Sequence, residues 1–400
     1  MSRNSLDCSH MHTATSTDLR DSRTSGHLAL SWERLIAPSS PPSWRLLGSE
    51  SLRGKRVLIT GAGGSIGSAL SHTAVASAPA SLVLLDNSEN GLYEVDRSLH
   101  EAGSRVHVSL LGSICDSDAL DHALTEHRPE IIFHAAALKH VPLMEQIPFA
   151  AIETNVFGTY ALAHFATAHE VEQIVFVSTD KAVEPRSIMG ASKRIAELIL
   201  LSLGGSTSMK VARLCNVMGS QGSVLPLFLE QITSGGPVTV TDPDAQRYFI
   251  TLDEAVRALF GTLDVGSSKA LLLLPSVGPA VRILDLARYL IALHQSPASI
   301  EFTGLRPGDK LSEQLVSSHE SLSSEGELDG SGLRAIDTPI PAAAELSAAL
   351  DTLRDAVRER DLPELLRGIK ALVPEYQPSS LILATRKEES ALELATELQA

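Results

Sequence analysis

The chain has 400 residues, 44% of them hydrophobic, and a net charge of −15. That is enough apolar material for one large or two modest cores, and the acidic balance argues against a general phosphate-binding surface for nucleic acid. Aromatic residues make up only 4% of the chain, which favours an α/β protein over an all-β one. The three cysteines, Cys8, Cys115 and Cys215, are far apart and odd in number. They fit neither a disulfide framework nor a zinc site, so a reducing, cytoplasmic setting is expected. No run reaches the ~18 uninterrupted apolar residues of a membrane span, and the N-terminus lacks the apolar core of a signal peptide.

Residues 1–50, rich in Ser, Thr, Asp and Arg, read as a poorly ordered lead-in with one short helix around Trp32–Ile36. His10 and His12 lie in this polar tail, and no metal site is expected there. From Lys55 the pattern changes. Short apolar runs recur at 56–60, 81–86, 105–111, 130–136, 173–179 and 210–214, separated by helix-compatible stretches. Strands buried on both faces look like this, and the alternation predicts βαβ units in a doubly wound parallel sheet of the Rossmann type over 51–216. Residues 217–316, marked by Gly and Pro, predict a smaller α+β lobe that binds substrate. The acidic, Ser-rich segment 317–332 reads as a flexible linker. A helical segment over 333–378 follows, with an amphipathic helix at 341–359 and a second at 362–372, and then a charged helical tail at 379–400.

The first strand runs directly into Gly61-Ala-Gly-Gly64-Ser65-Ile66-Gly67. Glycines at three-residue intervals let the backbone turn tightly and approach a pyrophosphate, while the following helix offers free N–H groups. Asp86, with Asn87 beside it, ends the next strand, where a carboxylate accepts hydrogen bonds from ribose hydroxyls and repels a 2′-phosphate. The expected cofactor is therefore NAD rather than NADP. The fifth strand ends in Ser178-Thr179-Asp180-Lys181, a polar cluster at the strand C-termini where such folds bind ligands.

STDKAVEPRSIMGASKR, with HAAALKHVPLMEQ upstream and GSVLPLF, GGPVTVTDPDAQRYF and EFTGLRPGDKL downstream, resembles the UDP-N-acetylglucosamine 4,6-dehydratases of the CapD-like polysaccharide-biosynthesis family, within the extended short-chain dehydrogenase/reductases. The likeness runs from about Leu52 to about Pro378. It implies an internal redox elimination: hydride leaves C4 of the sugar, the resulting ketone acidifies C5, water is lost across C5 and C6, and the hydride returns to C6. By matching positions, Thr179 polarises the C4 oxygen, Asp180 is the acid near C6 and Lys181 the base near C5. A Lys base needs its pKa brought toward neutrality by desolvation or neighbouring cations.

The usual Tyr of Tyr-x-x-x-Lys is Met189 here, a marker of one branch of these enzymes. Lys193 keeps the role of bonding the nicotinamide ribose. The acceptor of the C4 hydroxyl proton is then Asp180 or a water held by Thr179. Ser113 stands where the superfamily has an acidic residue on the adenine, with Ile114 against the ring, and Ala135, Ala136 and Ala137 run beside the cofactor. For the sugar nucleotide the resemblance implies Arg247 and Arg306 on the phosphates, Asn216 and Ser223 on the diphosphate and ribose, Thr239 at the uracil edge, and Lys139 and His140 lining the pocket. A UDP-sugar substrate and a homo-oligomer are expected. A UDP-sugar epimerase and a non-catalytic nucleotide-binding paralogue are the competing readings. The adjacent Asp180–Lys181 pair speaks against the first, while Met189, Ser113 and Gln221 favour the second.

Overall fold

The computed structural model describes residues 49–203, 205–266, 270–323, 328 and 332–386. The expected lead-in helix at Trp32–Ile36, Cys8, His10 and His12 lie outside them, as does most of the expected tail. Six parallel strands form the body of one sheet: β1 (Arg56–Thr60), β2 (Ser81–Asp86), β3 (His107–Leu111), β4 (Ile131–His134), β5 (Gln173–Thr179) and β6 (Ser208–Leu214). Smaller pairings then follow in β7 (Asn216–Val217), β8 (Val238–Val240), β9 (Gln246–Arg247) and β10 (Phe249–Ile250). The chain returns to the main sheet with β11 (Leu271–Pro275), leaves it for β12 (Val281–Arg282) and β13 (Ile300–Phe302), and ends the sheet with β14 (Ser321–Leu322) and β15 (Leu333–Asp337).

The sheet order is β14-β15-β11-β6-β5-β4-β1-β2-β3. The chain winds outward from β1 to β3, then crosses to β4 and winds the other way, so the crevice between β1 and β4 is the topological switch point where such sheets bind ligands. The strands are buried on both faces, as their unbroken apolar runs require. In β1, Val57 and Ile59 join the core on one side of the sheet and Leu58 the core on the other. This is the two-residue period of a strand. The doubly wound α/β architecture is therefore as the sequence predicts.

The smaller lobe is not one continuous stretch. Helix Leu252–Gly261 packs through Ala255, Val256 and Leu259 into the same core as β1, and β11 extends the main sheet beside β6. What remains of 217–316 gathers around Phe228, Val238, Val240, Leu286 and Leu290 in a core of its own. The segment after 332 begins with a strand rather than a helix, because Leu333 and Ile336 face the core and β15 pairs antiparallel with β11. The start of the expected linker is also tied down: β14 pairs with β15, and the Glu320 side chain is 1% exposed against Arg213. Helices Ala343–Glu359 and Leu362–Leu372 then pack on helix Ile188–Ser202. Leu353 fits so closely against the second of them that a Cβ on Gly368 would stand 2.8 Å from its Cδ2. No helix among the described residues is long and apolar enough to cross a membrane.

Candidate active site

Backbone geometry builds the first half of the site. Gly61 leaves β1 with φ +70°, and a Cβ there would stand 2.5 Å from the Ala136 nitrogen. A Cβ on Gly67 would overlap the Gly61 carbonyl oxygen. Only glycine allows this loop to fold so tightly between β1 and the Ala135–Ala137 segment after β4. Gly64 is the N-cap of helix Ser65–Ala76, and no side chain caps it. The first-turn N–H groups of Ser65, Ile66 and Gly67 have no intrahelical acceptor and point to an anion. The cradle thus fits a pyrophosphate.

Asp86 Oδ2 accepts from the Gly63 N–H at 2.8 Å and Oδ1 from the Ser88 N–H at 2.8 Å, so the carboxylate braces the loop. Asn87 is exposed beside it. The Ser113 hydroxyl accepts from the Cys115 N–H. Ile114 is 4% exposed and packs on Gly158, which fixes its position.

The second half lies at the end of β5. The Asp180 side chain is fully buried. Its Oδ1 accepts from Thr179 Oγ1 at 3.0 Å and from Lys181 Nζ at 3.0 Å, while Oδ2 is buried with no hydrogen-bond partner. Lys181 Nζ also donates to Asn216 Oδ1 at 2.7 Å. Helix Ile188–Ser202 presses on this turn, because Gly190 sits where any Cβ would overlap the Lys181 carbonyl oxygen. Burial alone would depress the Lys181 pKa, but the Asp180 and Glu313 carboxylates outweigh it and hold the ammonium above its usual range. The expectation of a Lys181 base brought toward neutrality is therefore corrected for this state: the carboxylates around it outweigh the single cation, Arg247.

Lys193, four residues after Met189, has a depressed pKa where Lys181 has a raised one. Burial lowers it to about 7, opposed by Glu197. Its Nζ lies 3.8 Å from the Phe176 ring centroid. Neighbouring His134 is bonded to Thr60 and Thr159, and burial together with Lys193 drives its pKa down to about 3, so it is a neutral structural group. Met189 is 4% exposed and packs among Ile152, Val156 and Tyr376, taking no part in polar contacts through its side chain.

The remaining expected ligands divide into two sets. Lys139 Nζ donates to the Gln221 carbonyl at 2.7 Å, and the Gln221 N–H donates to Ser65 Oγ at 3.0 Å. This bridges the segment after β4 to the glycine loop. Gly222 (φ +71°) lies against the His140 ring, where a Cβ would stand 2.6 Å from Cε1. Burial and the charges of Lys139 and Arg306 lower the His140 pKa, so these three side chains share one field. Ser223, at the N-cap of helix Val224–Thr233, has a buried hydroxyl with no partner.

Arg247 and Thr239 are already engaged. The Arg247 guanidinium donates to the carbonyls of Gln246, Lys310 and Leu311. Thr239 Oγ1 accepts from Gln231 Nε2 at 2.7 Å, its bonds running to a neighbouring helix rather than toward Asp180. Arg306 pairs with Asp309 at 2.8 Å with its side chain 58% exposed.

Two residues of the site escaped the sequence reading. Glu313, 3% exposed, lies 3.2 Å from Lys310 and 3.8 Å from Arg247, and its charge reaches Lys181. Asn155 holds both the N–H and the carbonyl of Leu138 and donates to Ser192 Oγ, fixing the loop after β4. It stands in a π-helical turn, Glu153–Gly158, whose irregularity leaves no periodic signal.

Residues 57–329 match the model of the family described as "Polysaccharide biosynthesis protein". The capsular polysaccharide biosynthesis protein CapD of Staphylococcus aureus is 43% identical over 282 residues, covering 68% of this chain and 47% of that protein. The chain thus spans about half the length of that relative. A UDP-glucose 4-epimerase of Rickettsia canadensis is 34% identical over 68% of this chain and 80% of its own. Among solved structures, Pen from Bacillus thuringiensis superposes with a TM-score of 0.64 at 29% identity, covering 73% of this chain and 89% of its own. A glycine cradle at the switch point, a Thr-Asp-Lys turn around the buried Asp180 at the end of β5 and a match over most of the fold lead to one assignment: the chain belongs to the polysaccharide biosynthesis protein family, built on the extended short-chain dehydrogenase/reductase fold.

Proposed function

We propose that this protein is a nucleotide-sugar 4,6-dehydratase that converts UDP-N-acetylglucosamine to the 4-keto-6-deoxy sugar and is served by NAD. The observation that carries the reading is the buried Asp180 carboxylate, which has one oxygen bonded to Thr179 and Lys181 and the other unmatched. A buried polar atom without a partner calls for an occupant, and a sugar hydroxyl supplies one. The Gly61–Gly67 cradle would hold a nicotinamide dinucleotide, which would supply a hydride acceptor for the C4 hydrogen and a donor for its return to C6. Asp86, with both oxygens turned to the loop, disfavours a 2′-phosphate at the adenosine ribose.

The protons follow from the ion pair. Asp180 enters as the carboxylate, and with Met189 unable to accept a proton, it takes the one from the C4 hydroxyl, with Thr179 orienting that oxygen. Neutralising Asp180 removes the nearest charge that holds Lys181 protonated, so the lysine, 24% exposed, releases a proton to solvent. The neutral amine then removes the C5 proton. Asp180 gives its proton to the departing C6 oxygen, which leaves as water, and Lys181 returns its proton to C5. A solvent proton restores the starting pair. Lys139 and Arg306, whose charges lower the His140 pKa, form the cationic edge that receives the diphosphate, and Asn216 positions Lys181 while facing the ribose.

Incubation of the protein with UDP-N-acetylglucosamine and NAD, followed by mass spectrometry, tests the reading. Loss of one water is expected. An epimer of unchanged mass would place the chain with the UDP-sugar epimerases, which its 34% identity to the Rickettsia canadensis protein makes the second reading. An unaltered sugar would leave a nucleotide-binding protein without the reaction.

A further inference from the structure

A second cluster of polar donors lies at the opposite end of the sheet from the glycine loop. Helix Glu89–Glu101 carries Asp96 and His100 one turn apart, the chain reverses through Gly103 (φ +85°), and β3 begins at His107. His107 Nε2 lies 3.4 Å from Asp96 Oδ1, and His100 Nε2 lies 3.6 Å from Asp96 Oδ2. One donor atom from each of the three falls within 4.8 Å of the others. The two imidazoles face each other with centroids 4.5 Å apart.

The His107 side chain is 1% exposed, yet its Nε2 has no hydrogen-bond partner. Its Nδ1 is held by Ser104 Oγ at 2.8 Å, and Ser109 Oγ donates to Asp96 Oδ1 at 2.6 Å. Outer hydroxyls that fix an imidazole through its far nitrogen and brace a carboxylate are the usual support of a metal ligand set. Tetrahedral zinc with bonds of ~2.0–2.2 Å separates its ligand atoms by roughly 3.4 Å; each imidazole lies near that distance from one Asp96 oxygen, His107 from Oδ1 and His100 from Oδ2, and one donor atom from each residue gathers within 4.8 Å.

We propose that Asp96, His100 and His107 bind a divalent cation of the zinc class, with solvent in the fourth position, as a staple that pins the sheet's outer strand β3 to its neighbouring helix. Imidazole with carboxylate selects zinc or cobalt over magnesium and calcium. The site stands apart from the chemistry, because β3 starts beside Leu82, near the beginning of β2, whereas Asp86 closes the far end of that strand.

The test uses the full chain, stripped with a chelator and titrated with cobalt(II) chloride, then with zinc chloride in competition. Visible d–d absorption saturating at one equivalent and displaced by zinc is expected, together with a zinc-dependent rise in Tm. His100→Gln, at a residue whose side chain is 55% exposed, should fold normally and lose both signals. Asp96→Asn should do the same, and Ser109→Ala should weaken binding roughly tenfold. The pair His10→Gln and His12→Gln should keep the absorption. Absence of one-equivalent binding in the wild-type chain, or equal binding in His100→Gln, overturns the proposal.

Discussion

Within two residues of each other at the end of β5, the chain feeds two clusters of buried charge that differ in how completely they are satisfied. Ser178 donates to Glu197 Oε1 at 2.6 Å. Glu197 also receives Arg194 and both the Nε and Nη2 of Arg213, while the other side of Arg213 grips Glu320 at 2.8 and 3.1 Å. Thr338 links Glu320 to Arg194. Two positive and two negative side chains close on themselves with hydroxyls filling the gaps. The cluster that begins at Asp180 does not close. Asp180 Oδ2 is buried without a hydrogen-bond partner.

Both clusters hold charges away from water, where each ion is costly unless paired. The first spends its whole bonding capacity on the fold. The second keeps capacity in reserve at the switch-point end of the sheet, where a substrate oxygen can complete it. Unmatched buried atoms therefore separate the reactive cluster from the structural one more clearly than burial or charge does.

Substitutions at the open cluster should abolish chemistry and spare the fold. Asp180→Asn and Lys181→Met should each lower the rate of water loss by ~100- to 10,000-fold, measured by mass spectrometry of the sugar nucleotide. The two variants separate when the 4-ketone is supplied ready-made in heavy water. Asp180→Asn should exchange the C5 proton, because removing the larger of the two charges that hold Lys181 protonated leaves burial opposed by Glu313 alone. Lys181→Met should not exchange it. Exchange in Lys181→Met would refute the assignment of the base.

Breaking the closed cluster should do the reverse. Arg213→Met leaves Glu197 and Glu320 buried without their main partner, a change that costs about 3–5 kcal/mol. A lower urea midpoint is expected, with the folded fraction still turning over. The same cluster gives the fold an acid limit. Burial would raise the Glu320 pKa, but Arg213 and then Arg194 outweigh it and bring it to about 2. A carboxylate depressed in the folded state contributes stability that is complete above its unfolded value of ~4.3 and fades as pH falls toward the folded one. Urea midpoints measured between pH 5 and pH 2 should fall, and Glu320→Gln should flatten that slope.

The legibility of these regions from sequence follows from how local their causes are. The glycine cradle was readable because three glycines join one strand directly to the helix that follows, and the constraint is on the backbone itself. Asp180 and Lys181 were readable as a pair at a strand end. The direction of the Lys181 shift was not, because Asn216 and Glu313 arrive from other elements. The closed cluster left no trace: Arg213 and Glu320 are 107 residues apart, and Glu320 sits in an acidic, Ser-rich segment whose composition reads as a loose linker. Asn155 was hidden for a related reason, since a π-helical turn breaks the spacing that marks a helix.

Asp86 falls between the two clusters and gives the smallest expected effect. Each of its oxygens accepts one backbone N–H, from Gly63 and Ser88, and each carboxylate oxygen has a further lone pair for a ribose hydroxyl. It braces the loop and faces the ligand at once, so its loss should weaken binding without collapsing the cradle that Gly61 and Gly67 impose. Asp86→Ser removes one charged acceptor and keeps a small polar side chain. A net loss of about 1.5–3 kcal/mol for a charged hydrogen bond corresponds to roughly 10- to 150-fold weaker NAD binding. The effect should sit near the low end, because backbone N–H groups at the helix start still hold the pyrophosphate. NADP should lose less than NAD, since the same substitution also removes the charge that repels a 2′-phosphate. Fluorescence titration of both cofactors against both proteins measures the ratio. An unchanged preference in Asp86→Ser would assign discrimination to the exposed neighbour Asn87 or to Ser88, and would leave Asp86 as a loop brace alone.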